Sequence, residues 1–366
     1  MKQTIAIAST LKPVIDPRVY EKIGISLGRS GKYNVHIFGA YPTAKSDHLS
    51  LFLHPVSLTR SSIFKRLILP FKLYRQIKKV KPNLAIITTH ELLLTGLLLK
   101  LFTRCKLIYD IQENYYNNLI FQRNYPWGIR HMLAGVIRLR EIIYTRFYNH
   151  FILAEKCYQE ELGFIGSRYT ILENKFAAPE QPIEFIRQDK ITLLLSGTIS
   201  EAYGVLEAIR FFRHLPPDEF ELTIIGHCPG KKTYDQVTTL IQGLDNVNNM
   251  ASLQPVPHTE ILKQIGNKTI GILPYQPNKS TENKLPSKLY EYIGLGIPVL
   301  ISPNPLWEML IKKYNAGLIV DFITPPPIDN IRNSFSLIHD RLSTDLKEVM
   351  WNDEENKILS LTDNLI

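Results

Sequence analysis

Short apolar runs recur along this chain, each ended by a charged or turn-forming residue, with stretches of helical apolar spacing between them. TIAIAS (residues 4–9) is followed by a helical pattern over 18–29, and NVHIFGA (34–40) reads as the next strand. A helical pattern over 64–80 precedes NLAIITTHE (83–91), and a helix through 92–102 leads to KLIYDI (106–111), HFILAE (150–155) and YTILEN (169–174). Strands rich in β-branched residues that alternate with helices predict parallel sheets covered on both faces.

The pattern restarts after APEQPIEFIRQDK (178–190), a polar, Pro-containing stretch that reads as a linker. ITLLLSGT (191–198) is a new first strand, a helix runs over 206–212, and FELTIIG (220–226), TIGILPY (269–275), IPVLIS (297–302) and residues 316–321 are further strands. TPPPI (324–328) interrupts regular structure, and helical patterns finish the chain. The expected fold class is α/β, with two Rossmann-like, doubly wound domains facing across a cleft. The expected boundaries are 1–180, 188–335, and terminal helices over 336–366 that return toward the first domain. Ligands are expected at the carboxyl ends of the strands.

At 366 residues the chain is long for one core, which agrees with two domains. The opening apolar run is ended by Lys12 and Pro13 and is too short for a signal peptide. The run 92–99 falls well short of the roughly 20 apolar residues that span a bilayer. Three unclustered cysteines, Cys105, Cys157 and Cys228, fit a reducing compartment and exclude a cysteine-only zinc site. His227 and Cys228 lack partners at metal-ligand spacing, so no metal is expected.

Charge divides the chain. Residues 1–180 hold 26 Lys+Arg against 12 Asp+Glu, a balance of +14; residues 181–366 hold 17 against 22, a balance of −5. A basic half suits a polyanionic partner. Residues 60–81, with Pro70 expected to bend them, and residues 130–150 mix cations with apolar side chains, which fits an anionic membrane surface. Two core-packed helices with solvated basic faces explain the same composition. No nucleic-acid-binding motif is visible, and neither first strand is followed by the Gly-x-Gly-x-x-Gly turn of a dehydrogenase.

The sharpest chemistry lies in PSKLYEYIGLGIPVLIS (286–302). Pro286 fits the first turn of a helix, and Gly294 and Gly296 fit its end. Lys288 and Glu291 are three apart and neighbour each other on one helix face. A helix N-terminus with a first-turn lysine attracts phosphate, and a carboxylate one turn deeper accepts from a ribose diol. By spacing alone, an ordinary surface salt bridge fits the pair equally well.

This stretch resembles the donor-site signature of the GT-B glycosyltransferases, in particular the retaining glycosyltransferase family 4. IDPRVYEKIGISLGRSGKYNVHIFG, TTHE, LIYDIQENY, ILEN and SGTISEAYG resemble further family segments in the same order. The resemblance implies a metal-independent transferase that moves a sugar from a UDP- or GDP-linked donor to an oligosaccharide or lipid-linked acceptor in bacterial-type polysaccharide or glycoconjugate assembly. Together with this resemblance, the two basic stretches and the +14 balance lead to the expectation of a cytoplasmic enzyme, peripheral on the inner face of the membrane.

The same resemblance implies that Glu291 binds the ribose, with Lys288 beside the diphosphate in the first turn formed by Ser287, Lys288 and Leu289. Asn283 stands where many members carry an acid and would contact the donor sugar, with Lys284 adding charge. Gly197 and Thr198 would offer backbone N–H groups to a phosphate, although Thr198 and Tyr203 replace the two cations usual in that loop. His90 would contact the donor sugar. Asp110, near Glu113, would be the base if the reaction inverted. Asp16, Arg18 and Glu113 would face the acceptor. A non-catalytic relative serving as a scaffold, or less favourably a sugar-nucleotide epimerase, shares this architecture.

Overall fold

The computed structural model describes residues 2–40, 48–56, 63–121, 125–180, 182–276, 278–324, 326–332 and 346–366. The chain forms two units: Met1–Ala177 together with Trp351–Ile366, and Ala178–Met350.

In the first unit seven parallel strands lie in the order β3-β2-β1-β4-β5-β6-β7. They are β1 (Gln3–Pro13), β2 (Tyr33–Ala40), β3 (Leu51–Val56), β4 (Leu84–Ile87), β5 (Lys106–Ile111), β6 (His150–Leu153) and β7 (Tyr169–Ile171). Strand alternation sends Ile5, Ile7, Ile86 and Ile108 into one core and Ala6, Ala8, Ile87 and Leu107 into the other, so both faces are buried. Sheet order places β4 at the centre, and the C-terminal ends of β1, β4 and β5 lie side by side.

The expected helix over 18–29 begins as a π-helical stretch, Pro17–Gly24, and continues as α1 (Ile25–Arg29). Helix α2 (Ile63–Lys79) continues through Pro70. Residues 60–62 of the basic stretch lie outside the described residues. Then come α3 (Leu93–Thr103), α4 (Tyr115–Phe121), α5 (Trp127–Tyr144) and α6 (Tyr158–Glu161).

The second unit has six parallel strands in the order β10-β9-β8-β11-β12-β13. They are β8 (Ile191–Thr198), β9 (Phe220–His227), β10 (Val247–Ser252), β11 (Thr269–Leu273), β12 (Val299–Ile301) and β13 (Gly317–Ile319). The helices are α7 (Val205–Phe212), α8 (Lys231–Leu240), α9 (His258–Leu262), α10 (Ser287–Gly294) and α11 (Pro305–Tyr314).

The stretch read as a linker is already part of this second unit. Ile186 N donates to Ile265 O at 3.1 Å and Asn267 N donates to Ile186 O at 3.1 Å, which attaches it to the segment that leads into β11. Gln181 within it, Pro325 of the TPPPI stretch, and residues 333–345 lie outside the described residues.

The last helix, α12 (Asn352–Leu365), belongs to the first unit. Trp351 N donates to Phe176 O at 2.8 Å, and its indole Nε1 donates to Ser26 Oγ at 2.9 Å. The fully buried Glu354 meets Lys175 at 2.9 Å and accepts from the Glu173 backbone at 3.2 Å. Among the described residues no helix is long and apolar enough to cross a membrane.

Candidate functional site

Helix α10 starts on Pro286, whose φ of −59° suits a helix entry, and no side chain caps its first turn. The Ser287 and Lys288 N–H groups are therefore available to a ligand, with the positive end of the helix dipole behind them, while Leu289 N donates to Pro286 O at 2.9 Å. Tyr292 fixes the helix on the sheet. Its hydroxyl lies 2.8 Å from Ser196 Oγ, and its ring lies where a Cβ on Gly271 would stand, 2.4 Å away.

Glu291 is buried one turn in. Lys288 Nζ donates to its Oε1 at 2.6 Å, and His258 Nε2 donates to its Oε2 at 3.0 Å. Burial pushes the carboxyl up, but the Lys288 charge and the His258 hydrogen bond outweigh it and hold the group at about 2. The carboxylate is thus ionised at neutral pH, and each oxygen keeps lone-pair capacity for a further donor. The Lys288 stem packs beside Gly197, with its Cε 3.5 Å from where a Cβ on Gly197 would sit. Gly197, at φ +103°, brings the end of β8 against the start of α10.

The loop before α10 is held from α11. Trp307 Nε1 donates to Lys284 O at 2.7 Å, and Asn304 Nδ2 donates to Glu282 O at 3.0 Å. Asn283 and Thr198 are exposed, Lys284 and Ser287 are half-buried, and Leu289 lies in the core. The Tyr203 ring packs against Tyr275, centroids 4.6 Å apart and tilted by 40°. Gly204 follows at φ +73°, and a Cβ there would lie 1.8 Å from Pro274 O. Only glycine lets the loop after β8 approach the end of β11 this closely.

In the first unit three of the residues expected on the acceptor side or in catalysis, Asp110, Arg18 and Asp16, are held by internal contacts. Asp110 is fully buried and bonded to Arg18, with Nη2 to Oδ1 at 2.7 Å and Nε to Oδ2 at 3.0 Å; Gln112 Nε2 adds a bond at 2.7 Å. Arg18 is also buried, and its Nη1 donates to Leu172 O at 2.9 Å. A carboxylate in a buried bidentate pair is not placed to take an acceptor proton, and the guanidinium is already committed. Asp16 Oδ1 accepts from the Arg18 and Val19 backbone N–H groups, each at 3.1 Å, as a helix cap.

Glu113 is exposed and accepts from Asn118 Nδ2 at 2.9 Å. His90, just beyond β4, stands edge-on to Tyr115 at 4.6 Å and lies 3.5 Å from Glu91. Its buried Nδ1 has no hydrogen-bond partner among the described residues. Burial lowers the imidazole pKa, against the pull of Glu91.

His258 was not legible as a site residue. It opens α9, 33 positions before Glu291, and only the Pro257 helix start marks the place in the sequence.

Residues 178–326 match the sequence model of the family described as glycosyl transferases group 1. No curated protein sequence matches the chain. Among solved structures it resembles the sucrose-phosphate synthase of Thermosynechococcus elongatus, at 14% identity over 100% of this chain and 99% of that one, TM-score 0.69. It resembles Anabaena HepE in complex with UDP and glucose, at 13% identity over 99% and 100%, TM-score 0.66. It also resembles a glycosyltransferase from Rickettsia africae, at 13% identity over 100% and 98%, TM-score 0.62. The fold is GT-B, and the family match together with that fold supports a GT-B glycosyltransferase.

Proposed function

We propose that the chain transfers a glycosyl group from a nucleoside diphosphate sugar to a hydroxyl acceptor. The observation that carries this reading is Glu291: a buried, ionised carboxylate one turn inside an uncapped helix, within the segment that matches the glycosyl transferases group 1 family. Its two oxygens accept the ribose 2′- and 3′-hydroxyls. On ligand entry the Lys288 ammonium, already at the helix start, turns toward the diphosphate. The Ser287 and Lys288 N–H groups stabilise the charge that grows on the departing diphosphate, a task that needs no metal. His258 keeps the carboxylate oriented. His90, with its unpartnered Nδ1, is the first unit's candidate for a donor-sugar hydroxyl. HepE has been solved with UDP and with UDP-glucose, which favours a uridine donor.

Retention of anomeric configuration and a lipid-linked acceptor complete the proposal. The membrane reading is supported by α5, whose Met132, Val136, Leu139 and Ile143 all face outward while only Ala134 and Glu141 are buried.

Titration calorimetry with UDP, UDP-glucose and GDP-linked sugars tests the donor site, and release of nucleoside diphosphate tests turnover. Glu291→Ala is expected to weaken nucleotide binding by about 100-fold, the loss of two charge-assisted hydrogen bonds. Failure of the unmodified protein to bind any of these compounds overturns the reading. A second reading, a nucleotide-binding partner without turnover, is favoured by Thr198 and Tyr203 standing in the β8–α7 loop in place of cations. It predicts binding with no release of nucleoside diphosphate.

A further inference from the structure

At the opposite end of the first unit's sheet from His90, an open cavity of about 590 Å³ lies against the N-terminal ends of β4 and β5. Four cations line it: Lys78 and Lys81 at the end of α2, Arg104 at the end of α3, and Lys106 at the start of β5; Leu365 and Ile366, with the Ile366 main-chain carboxylate, close one side, and no acidic side chain lines it. The side chains of Lys81, Arg104 and Lys106 make no hydrogen bond or ion pair among the described residues. Lys78 Nζ is held over the rings of Tyr74 and Phe102, at 5.7 and 6.0 Å. The crowding reaches Lys100, whose pKa is lowered by burial first and then by Lys106.

Helix ends welcome cations, and that alone explains one at each C-terminus. It does not explain the backbone. Lys81 at φ +48° and Arg104 at φ +57° both occupy the left-handed conformation at which helices commonly end on glycine. Two adjacent helix ends thus carry long cations where the backbone favours the smallest residue, and both cations line one cavity. Leu101 and Phe102, 62% and 64% exposed, lie just before Arg104 in the chain.

We propose that this cavity binds a phosphate-bearing group, held by Lys81, Arg104 and Lys106, with Leu101 and Phe102 offering contact to an attached apolar chain. The site is independent of the sugar-transfer reading and lies at the other end of the strands.

The double variant Lys81→Gly/Arg104→Gly tests it, because glycine relieves both left-handed positions and is expected to melt no lower than the unmodified protein. Two probes are used at low salt: vesicles of phosphatidylglycerol against phosphatidylcholine, and soluble pyrophosphate. Binding of phosphatidylglycerol vesicles, lost by at least about tenfold in the variant, identifies a lipid headgroup as the source. Binding of pyrophosphate without vesicle binding, lost equally in the variant, identifies a soluble phosphate compound. Either result supports the site. It is overturned if neither probe binds, or if the variant binds as well as the unmodified protein, which would assign vesicle binding to another surface such as α5.

Discussion

His258 Nε2 donates to Glu291 Oε2 at 3.0 Å, joining a short helix after β10 to the donor-site helix α10. Lys288 holds the other oxygen at 2.6 Å. The carboxylate is therefore fixed before any ligand arrives, and its orientation depends on two segments 33 positions apart in sequence. His258→Ala is expected to leave the charge on Glu291 but free its rotation, weakening nucleotide affinity by about tenfold. Titration calorimetry reads this, and an unchanged affinity would make His258 a packing residue only.

The same pair predicts an acid limit. The folded carboxyl of Glu291 lies at about 2, below its ordinary 4.5. Its stabilisation is complete above pH 4.5 and is lost as pH falls toward 2, amounting to roughly 3 kcal/mol. Denaturant unfolding of the unmodified protein and Glu291→Gln between pH 5 and 2 should show a steeper loss in the former.

Glu141 behaves in the opposite sense. Burial pushes its carboxyl up to about 7, against Arg138 at 3.3 Å and the Tyr109 hydroxyl at 3.0 Å. The folded state then keeps a proton that the unfolded state gives up, so this group's contribution falls as pH rises from 4.5 to about 7. Glu141→Gln should remove that slope and be the more stable form above pH 7, as followed by denaturant midpoints across the range.

Asp110→Ala leaves the Arg18 guanidinium buried without its carboxylate. A loss of about 3–5 kcal/mol is expected, with nucleotide affinity of the folded protein unchanged. A large loss of nucleoside diphosphate release at full stability would instead return Asp110 to the chemistry.

Gly204→Ala places a methyl group 1.8 Å from Pro274 O at a φ of +73°. Destabilisation of roughly 3 kcal/mol or more should follow, visible as a lower melting temperature. Wild-type melting would mean that the loop after β8 can withdraw from β11.

Much of this architecture is legible along the chain. The central strands announce themselves because both faces are buried, as in β1 and β8. Two edge strands do not: β3 carries Pro55, and β10 is VNNMAS, whose residues are half-buried or exposed and so show no apolar run. Helix α5 misleads for the converse reason. Its apolar spacing suits a core-packed helix, yet the stripe at Met132, Val136, Leu139 and Ile143 faces outward.

The local facts belong to the sequence by itself: alternating strands and helices, a proline-started helix, and Lys288 within one turn of Glu291. Each is set by neighbours a few residues apart, where backbone geometry leaves little choice. The choice of distant partners belongs to the tertiary structure. Arg18 and Asp110, Glu291 and His258, and the cations gathered below β4 and β5 come from segments that only the sheet order brings together. Burial then decides which charges become scaffold and which stay available for chemistry.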